Sequence, residues 1–311
     1  MPPQPKTFIG LDVGGTNLKA IAFDTAGTKV AEENLPTQDD GTNAWLERAR
    51  SLVQNLLRSL PVPVSLGVAA PGLPAPDGFS IASMPNRLSG LEDLNWQQWL
   101  RQATPVPVFN DAVAALLGEV WCGAGRGASN AILLTLGTGV GGAVMVDGRV
   151  LRGHLGRAGH LGHVSLAPEG PLDIVNTPGS LEDAIGECTI AARSNGRFAS
   201  TRELLLALRG GSPEASAVWL RSVQALAAAI AGFINVLDPE IIILGGGIAD
   251  ADDLLLQPLN AALDRFEWRP GGLRVRIVKA MLGRNAGATG AAYGAKLASN
   301  GNGNSPALVN A

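Results

Sequence analysis

The feature that constrains this fold most is a pattern of strand, glycine turn and strand that occurs twice in the chain. In the first copy, an apolar run at residues 8–11 leads through two glycines to a second strand at residues 18–23. In the second copy, residues 131–136 lead through a glycine loop at 137–142 to a strand at 143–146. Repetition of one such unit predicts two halves of similar design in a duplicated α/β architecture.

The remaining pattern predicts two domains. Strands are expected at residues 8–13, 18–23, 30–35, 65–70, 106–109, 131–136, 143–146 and 241–244, with the first three in an antiparallel meander. Helices are expected at residues 43–60, 112–121, 215–237 and 286–298, with a helix-rich insertion at 180–211. We expect an N-terminal α/β domain at 1–112, completed by the C-terminal helix at about 286–298, a larger C-terminal α/β domain at 113–285, and a disordered tail at 299–311.

The turn of the first unit, Asp12-Val13-Gly14-Gly15-Thr16-Asn17, places an acid and two glycines directly after a buried strand. Such a segment turns tightly into a hairpin, and its backbone N–H groups can face an anion. An acid beside such amides suits a metal-bound phosphate. The alternative is an ordinary Gly-Gly hairpin without a ligand.

The second glycine loop, residues 137–142, also satisfies the spacing G-x-G-x-x-G of dinucleotide-binding enzymes. That class requires a helix after the loop and an acid about 20 residues on, whereas a strand follows here and Gly162 stands at the acid's place. A P-loop is excluded because no glycine-lysine-serine/threonine sequence occurs. A plain tight hairpin stays possible, but the glycine content favours a phosphate cradle.

Composition limits the classes of partner. A net charge of −3 and the lack of a Lys/Arg run argue against nucleic acid. Cys122 and Cys188 lie far apart and match no metal-ligand spacing, which fits a reducing cytosol. Residues 1–6 lack the apolar core of a signal peptide, and the apolar run 225–237 is shorter than a membrane span. We therefore expect a cytoplasmic protein without a membrane partner.

Five motifs, in order, resemble the ROK family of sugar kinases and regulators over about residues 7–297. They are residues 12–17, Asn110-Asp111-Ala112, residues 136–142, Gly162-His163 and Leu244-Gly245-Gly246-Gly247. The resemblance implies an actin/hexokinase-like (ribonuclease H-like) duplicated two-domain fold with a central interdomain cleft, and a homodimer. It also implies two small-molecule partners, a sugar and ATP.

The resemblance assigns Asp111 as the general base that accepts the proton of the attacking hydroxyl, a role that suits an acid held where a buried strand passes into a helix. Asp111 could instead serve as a helix N-cap, or do both. Asn86 and Asn110 match asparagines that bind sugar hydroxyls, although Asn86 after a proline could be only a turn residue.

For the phosphates, the resemblance implies that Asp12 holds Mg²⁺ through water. The implied phosphate and nucleotide contacts are Gly14, Gly15, Thr16, Asn17, Gly137, Thr138, Gly139, Gly245, Gly246 and Gly247, the last three beneath the adenosine. Residues 285–288 could support them from a helix, or could be small only because helices pack closely there.

The chain departs from the family at a zinc site. Many members carry a glutamate, two residues, a histidine, then three cysteines that bind structural zinc with that histidine, and a later glutamate. Here His160 replaces the first glutamate, while His163 and Glu182 match the histidine and the later glutamate. The cysteine positions hold Asp173, Val175 and Ser180. These ligands are too few for tetrahedral zinc, so no structural zinc is expected, and Ser180 is expected to cap a helix instead.

The resemblance implies that His160, His163 and Glu182 contact the sugar. In relatives the glutamate at position 160 accepts hydrogen bonds from hydroxyls near the anomeric carbon, whereas a neutral imidazole offers one donor and one acceptor. The sugar preference should therefore differ, unless His160 is simply a packed residue.

These expectations combine into one function, the ATP-dependent phosphorylation of a hexose or a hexose derivative at the 6-hydroxyl, with glucose as the first guess. The alternative is a ROK protein that binds or senses sugar with little or no kinase activity. Regulators of the family add an N-terminal helix-turn-helix domain, and only a few residues precede the first strand-forming residues, so none is expected here.

Overall fold

The computed structural model describes residues 7–61, 64–84 and 87–300, apart from the side chain of residue 300. The strands are β1 Thr7–Val13, β2 Asn17–Asp24, β3 Lys29–Pro36, β4 Val64–Ala70, β5 Leu73–Pro74, β6 Ile81–Ser83, β7 Val108–Asn110, β8 Ala131–Leu136, β9 Val140–Val146, β10 Arg149–Val150, β11 Ile241–Gly245 and β12 Arg276–Lys279. The α-helices are α1 Ala44–Ser59, α2 Trp96–Trp99, α3 Asp111–Cys122, α4 Leu181–Ile185, α5 Ile190–Arg193, α6 Thr201–Arg209, α7 Pro213–Leu237, α8 Asp253–Phe266 and α9 Ala286–Asn300.

The described residues form two compact units. The first contains the described residues up to Gly127, together with Gly148–Ala158 and those from Met281 onward. The second contains Ala128–Asp147 and Gly159–Ala280. The expected tail at 299–311 lies outside the described residues except at its first two positions.

The first unit is built on a sheet of order β3-β2-β1-β4-β7. The predicted meander is confirmed, since β1 pairs antiparallel with β2 and β2 with β3, while β4 pairs parallel with both β1 and β7. Both faces of β1 are buried. Ile9 joins a core cluster with Trp45 of α1, and Phe8 packs with Ala288 of α9 on the other face. Burial on both faces explains why residues 8–11 of β1 carry no polar side chain.

Close helix packing places α3 in the first unit, although the sequence boundary at residue 112 assigned residues 113–122 to the second domain. A Cβ atom at Gly118 of α3 would come within 2.7 Å of the Ala286 carbonyl oxygen of α9. Only a residue without a side chain allows this approach. Small residues at the start of α9 therefore serve helix packing, as one of the two sequence interpretations held.

The second unit is built on a sheet of order β10-β9-β8-β11-β12. Strand β8 pairs antiparallel with β9 and parallel with β11, which pairs parallel with β12. Strand β9 begins at Val140, three residues before its predicted start. Strand β12 and helix α8 were not predicted, because β12 is only four residues long with basic residues at both ends and α8 contains Pro258.

Helix α7 is the one helix within the described residues that is long and apolar enough to cross a membrane by length and composition, and 61% of its most apolar window is buried in the protein. Its Leu226 and Ile230 are fully buried beside Ile242 and Leu244 of β11. The helix thus forms the core of the second unit, as the sequence predicted for residues 225–237.

Candidate active site

The first acid of interest, Asp12, lies near the carboxyl end of β1, next to a tight hairpin. The hairpin closes with Gly14 N–H donating to the Asn17 carbonyl at 3.0 Å, as expected for a Gly-Gly turn. Thr37, which is fully buried, anchors this turn. Its hydroxyl donates to the Gly14 carbonyl at 2.5 Å and its N–H donates to the Thr16 carbonyl at 2.9 Å. Thr37 thereby engages two carbonyl groups of the turn.

Asp12 has an unusually high pKa for an aspartate. Burial, and then the negative charge of Asp111, raise the pKa of Asp12 from 3.8 to about 7, while the positive charge of Lys19 opposes the shift. The start of α9 covers the carboxylate, because a Cβ at Gly287 would lie 2.6 Å from Asp12 Oδ2. Lys19 is held nearby, since its Nζ donates to Asn285 Oδ1 at 2.7 Å and to the Arg284 carbonyl at 3.2 Å.

Asp111 lies at the same edge of the sheet. Because β1, β4 and β7 run parallel, their carboxyl ends share one edge, and Asp111 follows β7 directly. The structure corrects one sequence interpretation. The N-cap of α3 is Asn110, whose Oδ1 accepts from Ala112 N–H at 3.0 Å, and Asp111 is the first helical residue. Asp111 Oδ1 also accepts from Ala112 N–H, at 2.8 Å.

Capping by Asn110 has a consequence for its expected role in sugar binding. Its Nδ2 donates to the Gly72 carbonyl at 3.0 Å, so both ends of its amide already take part in local hydrogen bonds. An amide nitrogen has a second N–H and an amide oxygen a second lone pair, so the side chain retains hydrogen-bonding capacity. Asn86, the other asparagine expected to bind sugar, lies outside the described residues.

In the second unit, the two predicted glycine loops lie side by side because they follow the paired strands β8 and β11. The loop after β8 closes with Gly137 N–H donating to the Gly139 carbonyl at 2.9 Å. The loop after β11 is tied to it, because Ile248 N–H donates to the Leu136 carbonyl at 3.0 Å. Gly246 has φ +86°, a conformation that favours glycine.

A pocket of about 670 Å³ opens beside these loops. Its volume is in the range of small-molecule sites. It is lined by Gly137, Thr138, Glu187, Thr201, Arg202, Leu205, Leu206, Arg209, Gly247, Ile248, Asp250 and Ala251. Within the described part of the chain the buried hydroxyl of Thr201 has no hydrogen-bond partner. Glycine amides, two arginines and an unsatisfied hydroxyl fit a nucleotide.

Helix α6 supplies five of these lining residues, and the sequence interpretation did not single them out. Thr201, Arg202, Leu205 and Arg209 lie on one side of this helix, and Leu206 beside them is 57% exposed. An exposed leucine next to two arginines was the available signal. It is weak, because single exposed leucines are common on protein surfaces.

Glu182, expected to contact sugar, lies against the first glycine loop. Its Oε2 accepts from Val140 N–H at 2.9 Å, and a Cβ at Gly139 would come within 2.9 Å of its carboxyl carbon. The glutamate follows Ser180, which caps α4 as expected by accepting from Asp183 N–H at 3.2 Å. The structure thus places Glu182 next to Gly139.

His160 precedes a short 3₁₀ turn, Leu161–His163, and His163 is its last residue. His160 is exposed. Gly162 packs so closely on β9 that a Cβ there would lie 2.9 Å from the carbonyl carbon of Val140. His163 Nδ1 and Asp173 Oδ2 are 2.8 Å apart. Gly162, which lies between the two histidines in the sequence, therefore packs directly against Val140 of the first glycine loop.

The residues at the family's zinc positions do not fit a metal. Among the described residues no three His, Cys, Asp or Glu side chains are grouped so that they could hold an ion. Asp173 instead accepts hydrogen bonds from the N–H groups of Val175 at 2.9 Å and Thr177 at 2.8 Å through Oδ1. Hydrogen bonds thus shape the segment in which cysteines would bind zinc.

One further residue was missed at the first hairpin. The guanidinium group of Arg87 lies over Gly15, where a Cβ would come within 2.8 Å of its Cζ. Arg87 follows the expected sugar ligand Asn86 directly, so its position in the sequence was the available signal. A cation over the turn beside Asp12 suits an anionic ligand.

The two sheets, the edge that carries two acids and the paired glycine loops define an actin/hexokinase-like α/β protein. The chain belongs to the ROK family, whose model matches residues 8–298. It is 35% identical to a glucokinase of Halalkalibacterium halodurans over 92% of this chain and 94% of the relative.

Two solved structures of ROK family proteins are similar to this chain in sequence and in fold. A ROK hexokinase from Thermus thermophilus is 31% identical to this chain, with a TM-score of 0.82. The match covers 94% of this chain and 99% of the hexokinase chain. A ROK family glucokinase from Streptomyces griseus, solved in complex with glucose and AMPPNP, is 26% identical, with a TM-score of 0.73. The match covers 93% of this chain and 99% of the glucokinase chain. The expected fold class is confirmed.

Proposed function

We propose that this protein transfers the γ-phosphoryl group of ATP to the 6-hydroxyl of a hexose or a hexose derivative, with glucose as the first substrate to test. One observation carries the proposal. Asp12 and Asp111 meet at the carboxyl edge of one sheet, so close that the charge of Asp111 helps to raise the pKa of Asp12 to about 7. The names of the relatives, glucokinase and ROK hexokinase, support the same reaction.

In this proposal Asp111 is the general base. It accepts the proton of the sugar hydroxyl as that hydroxyl attacks phosphorus. As the first residue of the 12-residue helix α3, it lies at the positive end of the helix dipole, which stabilises a carboxylate. Since Asn110 caps the helix, the carboxylate of Asp111 is not required for that purpose. Its exposure leaves it accessible to a substrate.

Asp12 is the proposed partner of Mg²⁺, through a water molecule. Burial and the charge of Asp111 outweigh the positive charge of Lys19 and raise the pKa of Asp12 to about 7, and a divalent cation would supply the further positive charge that favours the ionised carboxylate. The bound ion would neutralise charge on the β- and γ-phosphates. Arg87 and the backbone N–H groups of the hairpin, other than that of Gly14, which closes the turn, would contact phosphate oxygens beside it.

The nucleotide is proposed to bind in the pocket beside the loops at Gly137–Gly139 and Gly245–Gly247. The glycine amides suit phosphates, and Leu205 and Leu206 offer an apolar surface for the base. Arg202 and Arg209 add positive charge. The AMPPNP complex of the Streptomyces griseus glucokinase supports ATP as the donor.

The sugar contacts proposed here are Asn86, Asn110, Asp111, His160, His163 and Glu182. We further propose a cytoplasmic homodimer without structural zinc. Replacement of the family glutamate by His160 should alter the sugar preference at carbons 1 and 2, because a buried hydroxyl left without its partner costs about 1–3 kcal/mol.

The direct test measures ADP release from ATP and Mg²⁺ across hexoses, amino-hexoses and pentoses, with a control lacking sugar. The proposal expects sugar-dependent ADP release and a sugar 6-phosphate product by NMR. Binding of a sugar in calorimetry without ADP release from any sugar would refute it, and would favour the sugar-binding alternative.

A further inference from the structure

A buried hydrogen-bond network occupies the segment in which relatives would bind zinc. Its centre is Asp173, whose side chain is fully buried. Oδ1 accepts from the N–H groups of Val175 and Thr177, while Oδ2 lies 2.8 Å from His163 Nδ1. The neighbouring Ser180 side chain also favours the ionised form of the carboxylate and so lowers its pKa. One carboxylate thus joins residues 175–177 of the loop to the 3₁₀ turn of His163.

Asp173 is ionised at any working pH. Burial pushes the pKa of Asp173 up, but the hydrogen bonds from His163, Thr177, Val175 and Ser180 outweigh burial and bring it to about 2. An ionised carboxylate only accepts hydrogen bonds. The short contact with His163 therefore requires a proton on Nδ1.

This proton position determines what His163 offers to a ligand. A neutral imidazole with its proton on Nδ1 has a lone pair on Nε2, so Nε2 accepts a hydrogen bond. The backbone around the ring is fixed as well, because Gly162 packs against Val140 and Leu181 N–H donates to the Val164 carbonyl at 3.0 Å. The His163 side chain is 24% exposed, so a ligand can reach it.

We propose that Asp173 is a positioning residue for sugar binding: it holds the His163 ring with the proton on Nδ1, so that Nε2 accepts a hydrogen bond from a sugar hydroxyl. Asp173 orients the ring through a hydrogen bond rather than through a metal. The inference rests on the proposed function for the identity of the ligand, whereas the proton position depends only on the Asp173–His163 contact.

The substitution Asp173→Asn tests this arrangement sharply. The amide oxygen can keep both bonds from Val175 and Thr177, which places the NH₂ group where Oδ2 faced His163. The opposite orientation would point an NH₂ group at two backbone donors. With a donor facing Nδ1, the ring must accept there and carry its proton on Nε2, while the loop keeps its backbone bonds. The same change of one atom reverses the proton position of a histidine in serine proteases.

The experiment combines two readouts. Two-bond ¹⁵N–¹H correlation spectra at pH 8.5, about two units above the ordinary histidine pKa, locate the imidazole proton. The chain has only three histidines, and the signal lost in His163→Gln assigns the relevant one. Steady-state kinetics give KM for sugar and for ATP. Glu169→Gln, which removes an exposed carboxylate of the same loop, is the matched control.

The inference expects a proton on Nδ1 in the unaltered protein and on Nε2 in Asp173→Asn. It also expects a rise of roughly tenfold or more in sugar KM with little change in ATP KM, and neither effect in Glu169→Gln. A proton on Nε2 of the unaltered protein, an unmoved proton in the variant, an unchanged sugar KM or one zinc per chain by elemental analysis would overturn it.

The two proposals fail separately. The spectrum of the unaltered protein, assigned by comparison with His163→Gln, tests the Asp173–His163 contact without catalysis and without the Asp173→Asn variant. Absence of turnover with every sugar would refute the proposed function, whereas the spectrum would still locate the Nδ1 proton and calorimetry with Asp173→Asn would still measure the effect on sugar affinity.

Discussion

Glu182 accepts a hydrogen bond from the N–H of Val140 at 2.9 Å and lies directly against Gly139. The residue that the family resemblance assigns to the sugar thereby supports the glycine loop that we assign to phosphate. A carboxylate held by a backbone N–H has a defined orientation. The orientation of the Glu182 side chain and the conformation of the glycine loop therefore depend on each other.

We therefore predict that Glu182→Ala raises KM for both sugar and ATP, each by roughly fivefold or more, since a lost hydrogen bond to a charged group is worth about 1.5–3 kcal/mol. Steady-state kinetics with each substrate varied in turn measure this. Glu240→Ala is the matched control, because Glu240 also accepts from backbone N–H groups, those of Ser129 and Asn130 at 2.9 Å. A rise confined to sugar KM would show that Glu182 does not support the loop.

The raised pKa of Asp12 predicts a pH-dependent cost of folding. The native pKa of Asp12 is about 7 and the ordinary pKa of an aspartate is 3.8, so the native state binds the proton more tightly. The stabilisation from this proton is complete below pH 4 and is lost as pH rises through 7. Its upper limit is about 4 kcal/mol, from 1.36 kcal/mol per pKa unit.

Asp12→Asn should consequently gain stability relative to the unaltered protein as pH rises from 4 to 8 in the presence of chelator. Urea unfolding at several pH values measures the difference in the free energy of unfolding. Added Mg²⁺ should reduce the advantage of the variant, because the ion favours the ionised carboxylate. A difference independent of pH would contradict the assignment.

Two neighbouring glycines after β11 should respond differently to a methyl group. Gly246 has φ +86°, and a Cβ there would lie 2.7 Å from the backbone nitrogen and carbonyl carbon of Leu136. Gly247 has open space around its Cβ position. Gly246→Ala should lower the free energy of unfolding by about 2 kcal/mol or more, and Gly247→Ala by less than about 0.5 kcal/mol. Equal effects in denaturant unfolding would show that the loop differs from the one described.

His160 should influence which sugars are accepted. His160→Glu restores the family residue and replaces a donor and an acceptor by acceptors only. We expect the order of kcat/KM values among sugars that differ at carbons 1 and 2 to change. Glu169→Gln again provides a control for altered charge. An unchanged order would mean that His160 does not contact the sugar.

Much of the fold follows from the sequence, because alternating and continuous apolar runs such as those of β1, β8 and β11 report burial directly. The capping of α3 did not follow, since Asn110 and Asp111 are both good N-cap residues and only the backbone shows which one lies outside the helix. The boundary between the two units was also not predictable from the sequence. It depends on the packing of α3 against α9, and these two helices are far apart in the chain.

Some residues of the candidate site could be predicted from the sequence, and others could not. Glycine loops and acids at strand ends are recognisable, because their chemistry requires those residue types in order. The anchoring role of Thr37 and the pocket face of α6 were not recognisable, since a threonine before a helix and an amphipathic helix with arginines occur in many settings. Asp173 was noted only as a replaced cysteine, and its contact with His163 depends on a ten-residue loop that no local rule specifies.

The central claim is that Asp111 removes the proton of the sugar hydroxyl, and the kcat of Asp111→Asn tests it most directly. Asp253→Asn is the control, because Asp253 is likewise the first residue of a helix and is exposed. The account predicts that Asp111→Asn lowers kcat by roughly 100- to 10,000-fold while sugar still binds, and that Asp253→Asn does not. An Asp111→Asn enzyme that kept more than about a tenth of kcat with an unchanged sugar KM would contradict it.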